Sequence, residues 1–320
     1  STSEASALDV LVSQEDLDAA AISLTAEVAQ TWYLLLESRQ QLQLLDSQIE
    51  TSKQVLELVQ LRFRLGKVPA IDMLQQTQQL ESKLAEKAQA NSRKTLFEHQ
   101  LAVLLGKAPG KFHAASGTLP THLPDLPATG LSADLLRRRP DVRSAHFRVE
   151  SANKRVAAAI ADRFPRVSLS LQASTSSSKV RDLFDNWLAT LAANLTAPIL
   201  DGGARAAEVD RTKAVASRQL HTYAQKILLA IKEVEDALAR EARQHEYIAS
   251  LEKQLKLSGE VIVKTRQRYA NGDKAVDYLR TLATLESHQR LQRTLLFARR
   301  ELIDIRIGLY RALAGSIDQA

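Results

Sequence analysis

The chain contains no cysteine, which rules out disulfide bonds, thiol catalysis and thiolate metal sites within it. Glycine and proline are scarce, with 11 and 8 among 320 residues, and four of the prolines lie between residues 107 and 130. No hydrophobic run approaches the ~20 residues that a membrane-spanning helix requires. Helix-forming residues dominate the remainder, so we predict an elongated and mostly helical chain.

A block of one charge sign is also lacking. The 43 basic and 37 acidic residues are interspersed, which favours solvated helix faces over a nucleic-acid-binding stripe despite the net charge of +6. We find no paired acid and base, no glycine-rich phosphate loop and no G-x-S-x-G nucleophile pattern. His113 and His122 lie in the connector without nearby carboxylates or cysteines, so we predict that they are surface residues and not metal ligands. We therefore predict no enzymatic activity, no cofactor, no metal and no nucleic-acid partner.

The chain repeats one pattern. The segments "RFRLG", ending at Gly66, and "RYANG", ending at Gly272, lie 206 positions apart, and "IDML" and "VDYL" lie 205 apart. Apolar residues recur every seven positions in both copies: Val28, Leu35, Leu42, Ile49, Leu56 and Phe63, and then Ile248, Leu255, Ile262 and Tyr269. This spacing predicts coiled-coil helices over residues 5–64 and 205–270, each roughly 90 to 100 Å long, with return helices over 69–105 and 274–313.

These patterns predict the organisation of the whole chain. A helical hairpin occupies residues 1–106, a connector rich in proline and glycine 107–131, a helix that stacks on the first return helix 132–164, a β-hairpin 165–200, the second helical hairpin 201–315, and a tail 316–320. Pro140 suits the first turn of the stacking helix, and Gly66 and Gly272 suit helix C-terminal caps. Gly202 and Gly203 allow the change from strand to helix.

The predicted strands "RVSLSLQAST" (166–175) and "WLATLAANLTAPI" (187–199) alternate apolar and polar residues. Their length and alternation are typical of a transmembrane β-hairpin whose apolar face meets lipid. The polar face, predicted to line the lumen of a barrel, carries Ser168, Ser170, Gln172, Thr190, Asn194 and Thr196. Because lipid does not tolerate open sheet edges, other strands must complete the barrel. The alternative is a soluble hairpin packed on the helices.

Three ordered motifs carry a resemblance to a family. "LLRRRPDVRSAHFRVESANKRVAAAIADRFPRVSLS" (135–170), "PILDGGARAAEVD" (198–210) and "RYANGDKAVDYL" (268–279) resemble TolC-like outer membrane efflux channels, especially the lipoprotein branch serving resistance-nodulation-division pumps. The resemblance implies a mainly α fold with a small β part: helical hairpins forming an α-barrel on trimerisation, and strands contributing to a shared β-barrel. It also implies that the family's first strand hairpin, with any signal peptide and lipidated cysteine, is absent from this chain.

The family's function defines the expected partners. The resemblance implies a homotrimer in the outer membrane of a Gram-negative bacterium, with most of the chain in the periplasm, that passively conducts small molecules delivered by a periplasmic adaptor and an inner-membrane pump. The alternatives are a soluble periplasmic coiled-coil scaffold or adaptor without channel activity, and a basic nucleic-acid-binding helical protein. Conductance and a steep salt dependence of DNA affinity, respectively, would distinguish them.

The resemblance also implies two functional sites. Adaptor docking is expected at the helix reversals, which comprise Arg62, Leu65, Gly66, Lys67, Arg268, Asn271, Gly272 and Asp273. A periplasmic gate is expected from Asp277, its counterpart Asp72, and the neighbours Tyr269, Lys274, Leu279 and Leu282. The family's further acidic residue is Ala283 here, so the two leucines would share the constriction. The alternatives are plain helix reversals and an Asp277 that only caps its helix.

Overall fold

The structure is a computed structural model that describes residues 2–112, 114–126, 138–175, 187–271 and 278–313. Within these residues it has five helices and two strands: α1 (Thr2–Arg64), α2 (Ala70–Leu104), α3 (Pro140–Ala161), β1 (Arg166–Thr175), β2 (Trp187–Thr196), α4 (Ala204–Ala270) and α5 (Tyr278–Ala312). The predicted fold class, mainly α with a small β part, is confirmed. None of these helices combines the length and apolar character needed to cross a bilayer.

The helix limits agree closely with the heptad pattern. α1, α2 and α4 begin and end within three residues of the predicted limits. α3 starts with Pro140 in its first turn, as predicted, because a proline there lacks only an N–H that would have no intrahelical acceptor. The earlier part of the predicted stacking helix, over 132–137, and the predicted start of α5, over 274–277, lie outside the described residues.

Two glycines turn the chain from strand to helix, as predicted. Gly202 and Gly203 have φ angles of +60° and +85°, which residues with a side chain adopt only at a cost. The Asp201 carboxylate accepts hydrogen bonds from the backbone N–H groups of Gly203, at 3.0 Å, and Arg205, at 3.3 Å. Asp201 therefore satisfies free donors at the start of α4, a role that the glycine pattern alone does not reveal.

The chain divides into two units, Ser1–Ala19 with Leu136–Ala230, and Ala20–Leu135 with Ile231–Ala320. In the first unit, two sets of hydrogen bonds, seven residues apart on α1, hold α3 against the beginning of α1. Asp9 accepts hydrogen bonds from Ser151 at 2.7 Å and Arg155 at 2.5 Å, and seven residues along Asp16 accepts one from Ser144 at 2.6 Å. The repeat every two turns fixes the register of the two helices.

In the second unit the heptad prediction needs one correction. The predicted stripe of α4 is buried at Ile248, Ile262 and Tyr269. On α1 the predicted stripe is buried at Leu35 and Ile49 but exposed at Phe63. The neighbouring stripe is half-buried at Ser38 and buried at Thr31, Leu45, Ser52 and Val59. The reason is that α1 contacts α2, α4 and α5, so more than one of its faces is covered.

The described part of the connector, 107–112 and 114–126, has no helix or strand, as its composition predicts, but it is tied to the second unit. Leu119 packs against Leu36 and Ile303 in a buried cluster. Arg39 donates hydrogen bonds to the carbonyl oxygens of Ala114 and Ala115, at 3.1 and 2.5 Å. The connector is therefore fixed to this unit through Leu119 and Arg39, while most of its described residues are exposed.

Candidate functional site

The β-hairpin sorts its side chains onto two faces. The antiparallel register sets apolar residues opposite one another: Val167 and Leu195, Leu169 and Ala193, Leu171 and Leu191, Ala173 and Ala189. The other face pairs Ser168 with Asn194, Ser170 with Ala192, Gln172 with Thr190 and Arg166 with Thr196. All six predicted lumen residues therefore share one face. The valine and leucines of the apolar face are 69–76% exposed within the chain, which marks a surface that needs covering.

The second strand is shorter than predicted. It ends at Thr196, whereas the alternation had suggested a strand to Ile199. Thr196 lies opposite Arg166, the first residue of β1, and Ala197 would face Pro165. Proline cannot donate to the ladder, and Pro198 interrupts the second strand in the same way. The two prolines therefore set one end of the hairpin.

The second feature is the tip, by which we mean residues 62–72 and 268–282. α1 ends there at Arg64, and Gly66, two residues further on, has a φ of +66°. The Gly66 N–H donates to the Phe63 carbonyl at 2.9 Å and the Lys67 N–H to the Arg62 carbonyl at 2.9 Å, which confirms the predicted helix cap. Leu65 and Lys67 are exposed. Gly272, Asp273, Lys274 and Asp277 of the same prediction lie outside the described residues.

Arg62 joins the two repeats at the tip. Its Nη2 donates a hydrogen bond of 2.8 Å to the Tyr269 carbonyl, and its guanidinium carbon lies 4.2 Å from the centre of the Tyr269 ring. Tyr269 is buried, whereas Arg268 and Asn271 are exposed. The structure thus brings together one predicted docking residue and one predicted gate residue, and the contact combines a charge-assisted hydrogen bond with a cation–π interaction.

A buried polar chain lies beside this contact, and the sequence analysis missed it. The Tyr278 hydroxyl donates to Oε1 of Gln76 at 2.8 Å, and Nε2 of Gln76 donates to the Ser52 carbonyl at 2.9 Å. Tyr278 also packs with Tyr269 and Val59. Burial, with a smaller contribution from Asp72, raises the pKa of Tyr278 far above its usual value. The sequence contains one sign of this bond. Tyr278 in "VDYL" stands where the first repeat has Met73, so the hydroxyl is present in only one of the two repeats.

We expect Tyr278→Phe to destabilise the protein by about 1–3 kcal/mol, because it leaves Oε1 of Gln76 buried without a donor. Urea unfolding followed by circular dichroism measures the change. Tyr247→Phe on α4 is the matched control, since Tyr247 is exposed and should change stability by less than about 0.5 kcal/mol. Equal effects of the two variants would show that the Tyr278 hydrogen bond contributes nothing.

The remaining predicted gate residues differ in exposure. Leu279 is 54% exposed, whereas Leu282 packs against the cluster of Val59, Tyr269 and Tyr278. Asp72 lies in the first turn of α2, where a negative charge is favoured by the helix dipole. Among the described residues, no three histidine, aspartate or glutamate side chains are placed to hold a metal ion.

Residues 1–107 and 131–315 match the outer membrane efflux protein family. The chain belongs to this family. The resemblance read from the motifs is confirmed, and the family places the chain at the outer membrane of a Gram-negative bacterium.

One curated protein and two solved structures illustrate how similar the chain is to known proteins. The pyoverdine export outer membrane protein OpmQ of Pseudomonas aeruginosa is 28% identical over 97% of this chain and 65% of its own length. The solved structure of the outer-membrane channel OprN has a TM-score of 0.90 and 26% identity, covering 98% of this chain and 71% of that one. The CusC structure has a TM-score of 0.87, with 28% identity over 98% and 73%. The chain spans about 65% of the length of the first curated relatives that it matches.

Proposed function

We propose that the chain is a subunit of an outer-membrane channel in a tripartite efflux or secretion system, and that it passively conducts drugs or other small molecules to the exterior. The β-hairpin carries this proposal, since one face is apolar and the other holds Ser168, Gln172, Asn194 and their neighbours. Such a sorted hairpin separates lipid from water. Membership of the efflux family supports this function over a soluble coiled-coil scaffold.

The same hairpin supports assembly as a homotrimer with a shared barrel. The described strands form a two-stranded sheet, and each strand pairs only with the other. Unpaired backbone groups at such edges are too costly in lipid, so strands of further copies are needed to close the sheet. Membership of the family supports delivery from an inner-membrane pump through a periplasmic adaptor. Solved relatives are described as outer-membrane channels.

Conductance of the purified protein in planar lipid bilayers tests the proposal. We expect stepwise currents from a trimer purified in mild detergent. A monomer or dimer that gives no current would contradict the channel and favour the scaffold.

The tip supplies the proposed adaptor-docking surface, which comprises Arg62, Leu65, Gly66, Lys67, Arg268, Asn271, Gly272 and Asp273. Because Arg62 is engaged with Tyr269, the exposed Lys67 and Arg268 are the better probes of docking. We expect Lys67→Glu with Arg268→Glu to reduce drug export at least about tenfold without lowering the trimer yield, since reversed charges at an interface cost several kcal/mol. Minimum inhibitory concentrations in a strain that depends on this channel measure export.

A matched pair of charge reversals controls for a general loss of positive charge. Lys213→Glu with Arg218→Glu changes two exposed residues of α4 that lie outside the tip. This pair should leave resistance unchanged. Unchanged resistance in the Lys67 and Arg268 variant would count against docking at the tip.

For the gate we propose a ring of Asp277 from three copies, supported by Asp72, Tyr269 and Lys274, with Leu279 contributing an apolar constriction. Leu282 supports the constriction indirectly, because it packs on Tyr269 and Tyr278. Three carboxylates near one axis attract cations. We expect Asp277→Ala to lower cation selectivity and divalent-cation block in single-channel recordings, and Asp210→Ala, at an exposed position of α4, to change neither. If Asp277→Ala also changed neither, the acidic gate would be wrong.

A further inference from the structure

A groove in the second unit contains none of the residues proposed for the lumen, the docking surface or the gate. It lies over α1 between α2 and α5 and encloses about 550 Å³, within the range of small-molecule sites. Its lining includes three arginines, two phenylalanines and one glutamate: Arg93, Arg293, Arg300, Phe97, Phe297 and Glu37. The lining residues carry three guanidinium groups and one carboxylate, and Asp304 and Glu86, outside the lining, pair with two of these arginines. The two rings add apolar surface.

The buried arginine of the groove contacts two carboxylates. Arg300 Nε donates to Glu37 at 2.9 Å, and Nη1 donates to Asp304. Its guanidinium carbon also lies 4.8 Å from the centre of the Phe297 ring. Burial raises the pKa of Glu37, with the charges of Arg300 and Arg93 acting in the opposite direction. Arg300 therefore holds Glu37 and orients Phe297.

The two other arginines retain unused donors. Arg293 Nη1 donates to Gln48 at 3.0 Å and lies 3.4 Å from Glu86, while the structure gives no acceptor for its Nε and Nη2 in the described part of the chain. Arg93 is exposed and makes no hydrogen bond or ion pair with any of the described residues. Both side chains line the same groove, Arg93 from α2 and Arg293 from α5. Planar guanidinium groups with free donors match a carboxylate.

The phenylalanines give the groove a second requirement. Phe297 is 48% exposed and its ring is fixed by Arg300, and Phe97 lies half-buried on the facing helix. Exposed aromatic rings beside cationic donors suit a ligand with an aromatic body and an anionic end. An inorganic anion would leave both rings in water.

We propose that this groove binds a small aromatic carboxylate, with the carboxylate on Arg93 and Arg293 and the ring against Phe97 and Phe297. All of the site's residues belong to one unit of one chain, so binding there needs no contact between copies. Glu37 stays on Arg300 and keeps that guanidinium from competing for the ligand.

Titration calorimetry with 1-naphthoate tests the site, and 1-naphthamide, its uncharged counterpart, tests the need for charge. The purified protein is kept in one uncharged detergent throughout, so that partition into micelles is the same for every variant. We expect naphthoate to bind at least about tenfold more tightly than naphthamide, because hydrogen bonds to charged groups are the stronger ones.

Arg93→Gln with Arg293→Gln should weaken naphthoate binding at least about tenfold and leave naphthamide binding unchanged. Arg218→Gln, at an exposed position of α4, should leave both unchanged. Phe297→Ser should weaken both ligands. The proposal is overturned if naphthoate does not bind, if the amide binds equally well, or if the double variant binds naphthoate as the unmodified protein does.

Discussion

Glu241→Met is expected to destabilise the protein by about 3–5 kcal/mol, because it leaves a buried arginine without its counter-charge. Glu241 and Arg306 are 1% and 5% exposed. Arg306 Nε lies 3.1 and 3.0 Å from the two carboxylate oxygens, and Nη1 donates to the Pro124 carbonyl at 2.6 Å. Hydrogen bonding to Glu241 raises the pKa of Arg306 in the unmodified protein. In Glu241→Met the guanidinium still keeps its charge, because arginine is not deprotonated in proteins.

Urea unfolding measures this loss, and the chain offers a matched control on the same helix. Arg243 and Glu246 form an exposed ion pair at 2.8 Å, with side chains 78% and 66% exposed. Glu246→Met should change stability by less than about 0.5 kcal/mol, since water replaces the lost partner. The double variant Glu241→Met with Arg306→Met should recover most of the loss, because two apolar side chains remove the buried charges. Equal losses for Glu241→Met and Glu246→Met would contradict the buried-pair argument.

The pair also shows where sequence patterns stop being informative. Helix limits follow from the period of apolar residues and from glycines, and both are local, so α1, α2 and α4 were predicted closely. A hydrogen bond between residues 241 and 306 joins positions 65 apart, and no local pattern identifies that partner. Glu241 resembled any other charged residue of a solvated helix face. Its burial depends on which helices and which part of the connector pack around it.

The hairpin was predictable because alternation fixes which residues share a face. The observed register pairs the apolar residues of the two strands with one another, as the pattern requires. Only the end of β2 was wrong, because Ile199 continued the alternation although Pro165 and Pro198 prevent pairing there. Backbone hydrogen bonding therefore limited the strand where side-chain patterning did not.

The internal repeat predicts equivalent positions but not equivalent surroundings. Tyr269 and its counterpart Phe63 differ in exposure, at 7% and 39%. Arg62 bonds to Tyr269, while its own counterpart, Arg268, is exposed. One chain contains both copies side by side, so each copy meets different neighbours and the equivalence of sequence is lost at the tip.

This asymmetry makes Arg62→Met the most informative test of the proposed gate. The Arg62 contact ties the end of α1 to the end of α4 through the Tyr269 carbonyl at 2.8 Å and the Tyr269 ring at 4.2 Å. The Tyr269 hydroxyl has no hydrogen-bond partner in the described part of the chain. Tyr269 is therefore contacted through its carbonyl oxygen and its ring face, and Arg62 makes both of these contacts.

Loss of the tie should favour a wider tip if the closed channel depends on it. A coupling of about 1–3 kcal/mol corresponds to roughly a 5- to 150-fold change in the ratio of open to closed states. We therefore expect Arg62→Met to raise the open probability in single-channel recordings at least about fivefold. The open probability of Arg62→Lys should lie between those of the unmodified protein and Arg62→Met. An ammonium keeps the charge over the ring but lacks the planar donor pair.

Arg64→Met is the matched control for the loss of one positive charge on the same turn. Arg64 is exposed and makes no hydrogen bond or ion pair with any residue that the structure describes. It should leave the open probability unchanged. Both variants remove one positive charge from neighbouring positions, and they differ in the contact with Tyr269. The contact therefore affects the gate only if Arg62→Met raises the open probability more than Arg64→Met does. Equal recordings from the two variants would contradict a role of Arg62 in the gate and leave only the proposed ring of Asp277 to close the channel.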